Sequence, residues 1–183
     1  VFDMPGRPFN VFSEAMMADL SSLIDTVESS GDTIKGLVIT SGKSAFVAGA
    51  DLAMIQDFGA MRFSANKTEM RQRYSYLGAL FRRLERLPVP VVAAVNGLAL
   101  GGGLEVAMAC HARVCVESTA PILGLPEILL GLLPGAGGTQ RLPRYIGIKE
   151  AIKMLLDGNA ISPVKGFELG LVDALTDADS LVD

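Results

Sequence analysis

The sequence predicts an α/β domain with mainly parallel strands, and two observations support that prediction. Short apolar segments typical of buried strands recur along the chain, at residues 36–40, 91–95 and 112–116. Segments with helical spacing separate them, as crossover helices do when they join parallel strands. No linker or internal repeat divides the 183 residues, so a single domain over residues 1–183 is expected.

The elements can be assigned in order along the chain. Residues 1–4 are typical of the end of a strand, and Ser13 suits the N-cap of a first helix. The apolar residues of that helix follow helical spacing: Met16, Met17, Leu20, Leu23, Ile24 and Val27. Further helices are predicted at residues 52–58, 76–87, 104–108, 147–156 and 162–169, with another β segment at 122–124.

Composition and charge exclude several classes of partner. A net charge of -4 gives no reason to expect nucleic acid or an anionic membrane surface. The longest apolar run, residues 91–110, contains Asn96, several glycines and Glu105, which makes it too broken for a membrane span. Cys110 and Cys115 lie among apolar residues, so we expect reduced thiols and a cytoplasmic location.

Two glycine-rich turns are expected to present backbone N–H groups to a ligand. The strand at 91–95 is followed by three glycines, Gly101 to Gly103, and then at once by a helical pattern. Such a turn leaves free N–H groups at the positive end of a helix, and the missing Cβ atoms let a ligand approach the backbone. Residues 48–51 precede a helix in the same manner.

Two glutamates stand out because each lies in an apolar, glycine-rich setting. Glu105 is in the first turn of a very apolar helix, where the helix dipole alone would explain it. Glu127 repeats the setting, and this second carboxylate favours a functional interpretation. Burial would raise the pKa of a glutamate and suit it to proton transfer, while paired N–H groups suit an oxyanion hole. The combination is typical of carbonyl activation with proton movement next to the carbonyl.

Other chemistries lack their sequence patterns. His111 is the one histidine and is interpreted as a core or capping residue, and no G-x-S-x-G nucleophile elbow occurs. The cysteines and carboxylates lack the spacing of zinc ligands, so no metal is expected. The glycine-rich loop at 134–139 departs from the dinucleotide pattern at Gln140, and a phosphate loop at 42–44 would need glycine where Leu37 stands.

The charged segment at residues 59–76 has two interpretations, which the sequence leaves open. Its charged residues are Arg62, Lys67, Glu69, Arg71 and Arg73. They fit the solvated face of a helix, and they equally fit a mobile flap over a pocket.

Three motifs together resemble the crotonase (enoyl-CoA hydratase/isomerase) superfamily. They are AFVAGADL at 45–52, VNGLALGGGLEVAMAC at 95–110 and GLPEILLGLLPGAGGTQRLPRYIG at 124–147. The similarity extends from Phe2 to Asp173 and is greatest to the hydratase domain that precedes a 3-hydroxyacyl-CoA dehydrogenase in multifunctional fatty-acid oxidation proteins. The resemblance implies a spiral of ββα units. It also implies a fragment of a longer chain, with the family's C-terminal helices missing or truncated.

The resemblance assigns the reacting groups to four residues. The N–H groups of Ala50 and Gly102 would form the oxyanion hole for the thioester oxygen of an acyl-CoA. Glu127 would exchange a proton with C2 as general acid/base. Glu105 would orient and activate the water that adds to C3.

The same resemblance implies a substrate-binding set around those groups. Ala48 would lie where the backbone meets the coenzyme A adenine, and Asp51 would support the oxyanion turn. Gly101 belongs to the same substrate-binding set. The N–H of Gly135, which follows Pro134, would help to fix the water.

The activity implied is hydration of 2-trans-enoyl-CoA to 3-hydroxyacyl-CoA in fatty-acid β-oxidation. The alternatives are a Δ3-Δ2 enoyl-CoA isomerase using the same site, since Glu127 alone could shuttle a proton, and a non-catalytic acyl-CoA-binding domain. No cofactor is expected, because coenzyme A is part of the substrate. The family also implies a homotrimer or homohexamer, or association with dehydrogenase and thiolase components.

Overall fold

The computed structural model of the protein describes residues 1–61 and 66–182. Its helices are α1 (Glu14–Ser29), α2 (Leu52–Met61), α3 (Lys67–Glu85), α4 (Gly102–Ala109), α5 (Gly138–Asp157) and α6 (Pro163–Leu169). Its strands are β1 (Leu37–Ile39), β2 (Val91–Val95), β3 (Ala99–Leu100), β4 (Ala112–Val116), β5 (Leu123–Gly124) and β6 (Ala174–Thr176), and a 3₁₀ helix spans Pro126–Leu130.

The strands form two parallel sheets. The larger has the order β1-β2-β4-β6, and every neighbouring pair in it is parallel, with Val92 opposite Ala112 and Val114 opposite Ala174. The smaller pairs β3 with β5. The α/β class with parallel pairing, predicted from the alternation of strands and helices, is therefore confirmed.

Helix α4 lies at the centre of one continuous hydrophobic core. All of its residues from Gly102 to Ala109 are buried, which suits a helix that is apolar on every side. It contacts α3 on one side and α5 on another. At the end of the core near α1, Phe12 packs edge-on against Phe81, with ring centroids 5.3 Å apart. The core thus holds the first turn of α4 rigidly.

Several element boundaries differ from those predicted. Helix α3 begins at Lys67 instead of residue 76, because the side chain of Asn66 accepts a hydrogen bond from Glu69 N and caps the helix. Helix α5 begins at Gly138, nine residues before the predicted start, and breaks at Gly147, where φ is 78°. Residues 1–4 contribute only a bridge between Phe2 and Ser41.

Within residues 1–61 and 66–182, no helix has both the length and the apolar character required to cross a membrane.

Candidate active site

A cavity of about 330 Å³ lies beside the first turn of α4. Its wall combines α2, the middle of α3, the 3₁₀ helix and the loop before α5. The structure brings most of the sequence-predicted site residues together there: Ala48, Ala50, Gly101, Gly102, Glu105, Glu127 and Gly135. Asp51 and Pro134 do not line the cavity.

The two glycine-rich turns lie side by side because their backbones are bonded to each other. Leu100 N donates to Val47 O at 3.1 Å, and Val47 N donates to Leu98 O at 3.1 Å. Around Ala50, the flanking residues Gly49 and Asp51 form the hydrogen bonds to Phe12. Within the part of the chain that the structure describes, neither Ala50 N–H nor Gly102 N–H donates a hydrogen bond. Both residues line the cavity, so both N–H groups are available to a carbonyl oxygen.

The backbone before α2 is fixed at two points. Ala48 N donates to Asn10 O at 2.8 Å, and Asn10 is fully buried. Asp51 accepts a hydrogen bond from Ala53 N at 2.9 Å and pairs with Arg7 at 2.9 Å. These contacts hold the turn that carries Ala50.

Glu105 is 2% exposed and its carboxylate is held from outside its own helix. Its Oε1 accepts hydrogen bonds from Ala136 N at 2.8 Å and from Gly138 N at 2.7 Å. Burial raises the pKa of Glu105 above its ordinary value, while these two N–H groups and the charge of Arg141 act in the opposite direction. The backbone donors therefore stabilise an ionised carboxylate in an apolar surrounding.

Gly138 allows this close approach. A Cβ at that position would lie 3.0 Å from Glu105 Oε1 and 2.9 Å from both Leu125 and Pro134. No side chain fits there without moving the carboxylate or its surroundings.

Glu127 lies in the 3₁₀ helix and is half-buried. Its Oε1 approaches Gly101, where an added Cβ would lie 2.8 Å away, and Gly101 has a φ of 52°. Its Oε2 is buried and accepts no hydrogen bond from the described residues. Burial, together with the neighbouring charge of Glu105, raises the pKa of Glu127 to about 7.

Sequence reasoning missed three groups that act on Glu105: the N–H groups of Ala136 and Gly138, and the side chain of Arg141. The glycine-rich loop at 134–139 was the available signal for the first two, because such loops expose backbone donors. Arg141 lies in α5, far from Glu105 along the chain, so no local sequence signal connects it with that carboxylate.

His111 takes part in backbone contacts away from the cavity. Its Nδ1 accepts a hydrogen bond from Val91 N at 2.9 Å, and its Nε2 lies 3.2 Å from Glu85 O. Among the residues described, no group of three or more His, Cys, Asp and Glu side chains could hold a metal ion.

The charged segment contributes to the cavity through α3. Arg73 and Tyr74 line the cavity wall, and both take part in side-chain interactions. Arg62, included in the flap interpretation, lies outside the described residues, so that interpretation stays a prediction.

Comparisons with known proteins identify the family. The family model described as enoyl-CoA hydratase/isomerase matches residues 2–183. The chain belongs to the enoyl-CoA hydratase/isomerase family. It is 42% identical over 182 residues to the fatty acid oxidation complex subunit alpha of Idiomarina loihiensis, covering 99% of this chain and 25% of that protein. The corresponding subunit of Shewanella frigidimarina is 44% identical over 173 residues, covering 93% and 23%. The chain thus spans about a quarter of these curated relatives.

Solved structures share the fold. An enoyl-CoA hydratase from Bacillus anthracis superposes with a TM-score of 0.81 at 36% identity, covering 96% of this chain and 64% of that one. DspI from Pseudomonas aeruginosa superposes with a TM-score of 0.83 at 33% identity, covering 97% and 64%. The crotonase-type fold implied by the sequence motifs is confirmed, and the chain is an enzyme of this family.

Proposed function

We propose that this domain hydrates 2-trans-enoyl-CoA to 3-hydroxyacyl-CoA. The observation that carries the proposal is the shared cavity. Two carboxylates with different hydrogen-bond partners line it together with Ala50 and Gly102, whose N–H groups donate to no acceptor among the described residues. Hydration of a conjugated thioester needs one group that accepts a proton from water, one that supplies a proton to carbon, and donors for the enolate oxygen.

The N–H groups of Ala50 and Gly102 would bind the thioester oxygen. As water adds to C3, the electron pair of the C2–C3 double bond moves toward that oxygen and charge develops on it. Two donors fixed by the backbone stabilise this charge without reorganising, because the paired turns hold them in place before the substrate binds.

Glu105 would act as the base toward water. Its Oε1 is occupied by Ala136 N and Gly138 N, which fixes the carboxylate and favours its ionised form. An ionised, oriented carboxylate can accept a proton from water as the C3–O bond forms.

Glu127 would deliver the proton to C2. With a pKa of about 7, a substantial fraction of this group is protonated near neutral pH. The step leaves Glu105 protonated and Glu127 ionised. A proton passing from Glu105 to Glu127, directly or through solvent, restores the starting state.

The wider assignments rest on relatives and on the fold. The similarity to fatty acid oxidation complex alpha subunits supports a role in fatty-acid β-oxidation, with acyl-CoA as substrate and no separate cofactor. We also propose association with dehydrogenase and thiolase components, or a homotrimer or homohexamer. The single core supports one domain over residues 1–183. Two buried free thiols, Cys110 and Cys115, fit a cytoplasmic location.

The test is hydration of crotonyl-CoA by the intact protein, followed as the loss of the ultraviolet absorbance of the conjugated double bond. Isomerisation of a 3-enoyl-CoA is measured in parallel on the same preparation. We expect hydration that depends on both Glu105 and Glu127. Isomerisation without hydration would replace the proposal with the Δ3-Δ2 isomerase activity, for which the unpartnered Oε2 of Glu127 would suffice. Acyl-CoA binding by calorimetry without either turnover would establish a non-catalytic binding domain.

A further inference from the structure

We propose that Arg141 is a positioning residue for Glu105: it fixes the segment whose N–H groups hold this carboxylate, and its positive charge acts on the same carboxylate. The inference deepens the proposed hydration and rests on it for the meaning of Glu105 as the base. Its structural basis is a chain of contacts from α3 through α5 to the cavity.

Ala136 connects Arg141 to Glu105 through its two backbone groups. Its N–H donates to Glu105 Oε1 at 2.8 Å, and its carbonyl accepts from Arg141 Nη1 at 2.9 Å. The guanidinium therefore fixes the residue that in turn fixes the carboxylate. Gly138, the second donor to Glu105, lies two residues further along the chain and is the first residue of α5.

Arg141 is itself held in place by Glu85 of α3. Its Nε and Nη2 donate to the two carboxylate oxygens of Glu85, each at 3.3 Å, in a two-pronged arrangement. The side chain of Arg141 is 11% exposed, so the guanidinium has little freedom to leave this position. Such a fork orients a guanidinium better than a single contact would.

The electrostatic part of this role follows from the charged groups around Glu105. From the 3₁₀ helix, Glu127 faces the same cavity with a like charge when ionised. From α3, Arg73 and Tyr74 line the cavity wall. From α5, Arg141 is the charge that lowers the pKa of Glu105, against burial, which raises it. A positive charge on α5 thus opposes protonation of the buried carboxylate.

The experiment compares Arg141→Met, Arg141→Gln and Arg141→Lys by hydration kinetics across pH. Arg141→Met removes the positive charge and the hydrogen bonds to Ala136 O and Glu85. We expect the acid limb of the pH profile of kcat to move to a pH about one unit higher. At pH values below this limb, kcat is then roughly tenfold lower than in the unaltered protein, while KM changes less than about twofold. Arg141→Lys keeps the charge and is expected to return the limb close to its original position.

Arg83→Met is the matched control. Arg83 is an ion-paired arginine on α3, bonded to Asp25 at 2.5 Å and Glu28 at 2.6 Å, and it joins α1 to α3 outside the cavity wall. Its loss is expected to lower the thermal midpoint without moving the pH limb. If Arg141→Met does not fold, Arg141→Gln tests the same point, because an amide can still donate to Ala136 O but carries no charge.

A second readout does not depend on turnover. With ¹³C-labelled glutamate side chains, the resonance that disappears in Glu105→Gln identifies Glu105, and its titration midpoint is followed in each Arg141 variant. We expect an upward shift in the Met and Gln variants and little change in Arg83→Met.

An unmoved midpoint in a folded Arg141→Met or Arg141→Gln variant would overturn the inference, even if hydration is present. A shifted midpoint in a protein that hydrates nothing would leave the inference standing and remove the proposed function. A shift of the same size in Arg83→Met would also overturn the inference, because the effect would then reflect general destabilisation.

Discussion

Glu105 and Glu127 are the same residue type placed in two different surroundings of one cavity. Glu105 belongs to a fully buried helix and receives two backbone hydrogen bonds and the influence of Arg141. Glu127 belongs to a short 3₁₀ helix with no buried residue, and its buried Oε2 has no donor among the described residues. One environment supplies two backbone donors to a carboxylate oxygen, and the other leaves Oε2 without a donor among the described residues.

In the proposed hydration, this difference divides the proton chemistry between the two residues. Burial raises the pKa of both carboxylates. At Glu105 two backbone donors and the charge of Arg141 oppose this effect, whereas at Glu127 the charge of Glu105 adds to it. A pair of titratable groups whose surroundings separate their pKa values is the arrangement expected of a base and an acid that work together. Under the proposed function, this asymmetry makes Glu105 the base and Glu127 the acid.

Replacing Glu127 should have the largest effect on turnover. Glu127→Gln keeps the size of the side chain and removes the proton that C2 must receive. We expect kcat for crotonyl-CoA hydration to fall roughly 10²-fold or more, with KM little changed. Turnover near that of the unaltered protein would exclude Glu127 as the proton donor.

Replacing Glu105 should lower turnover and also alter Glu127. Glu105→Gln removes the base, and we expect a loss of roughly 10²-fold in kcat. It also removes the like charge that raises the pKa of Glu127, so the basic limb of the residual activity should move below its position near pH 7. A basic limb that stays in place would show that the two carboxylates do not interact.

Two alanine substitutions test how tightly Glu105 is held, one at the first residue of α5 and one at a glycine outside the cavity. At Gly138 a Cβ would crowd Glu105, Leu125 and Pro134, and we expect a loss of about 1–3 kcal/mol in stability from overpacking, with about tenfold lower kcat. At Gly36, which does not line this cavity, a Cβ would meet only Pro90 O at 3.5 Å, an ordinary contact, so Gly36→Ala is the control and should change both quantities little. Urea unfolding and hydration kinetics measure the pair, and equal effects at both positions would contradict the assigned contacts.

The smallest expected effect concerns stability and pH. Folding raises the pKa of Glu127 from 4.5 to about 7, so the unfolded chain ionises first and stability present below 4.5 is lost as pH rises toward 7. Because Glu127 is partly solvated, we expect Glu127→Gln to stabilise the protein by only about 1 kcal/mol at pH 8, and by less at pH 5. Urea unfolding at the two pH values checks this, and an equal gain at both would argue against a raised pKa.

Local signals predicted much of the fold. The bounds of β2 and β4 match the apolar segments at 91–95 and 112–116, since a buried strand needs a continuous apolar run. The early start of α5 was missed because the first turns contain glycine and Pro143, which are typical of loops. Asn66 caps α3 and so lengthens it. This cap lies in a charged segment without an apolar run, and the longer helix was therefore not predicted.

The contacts within the site were harder to predict from the sequence, because they join residues that are far apart along the chain. The motifs indicated Glu105 and Glu127, but the donors to Glu105 come from 31 and 33 residues away along the chain. Nothing near Glu105 in sequence specifies which loop will reach it. Arg141 is likewise brought close only by the packing of α5 against α4.

Direct titration of the two carboxylates tests the division of roles most closely. Infrared or ¹³C spectroscopy of the unaltered protein, with Glu105→Gln and Glu127→Gln as assignments, gives the pH at which each group ionises. We predict that Glu127 titrates near pH 7, and the proposed roles require Glu105 to ionise at a lower pH than Glu127. The reverse order, or two midpoints near the ordinary value of 4.5, would contradict the assignment of Glu105 as base and Glu127 as acid.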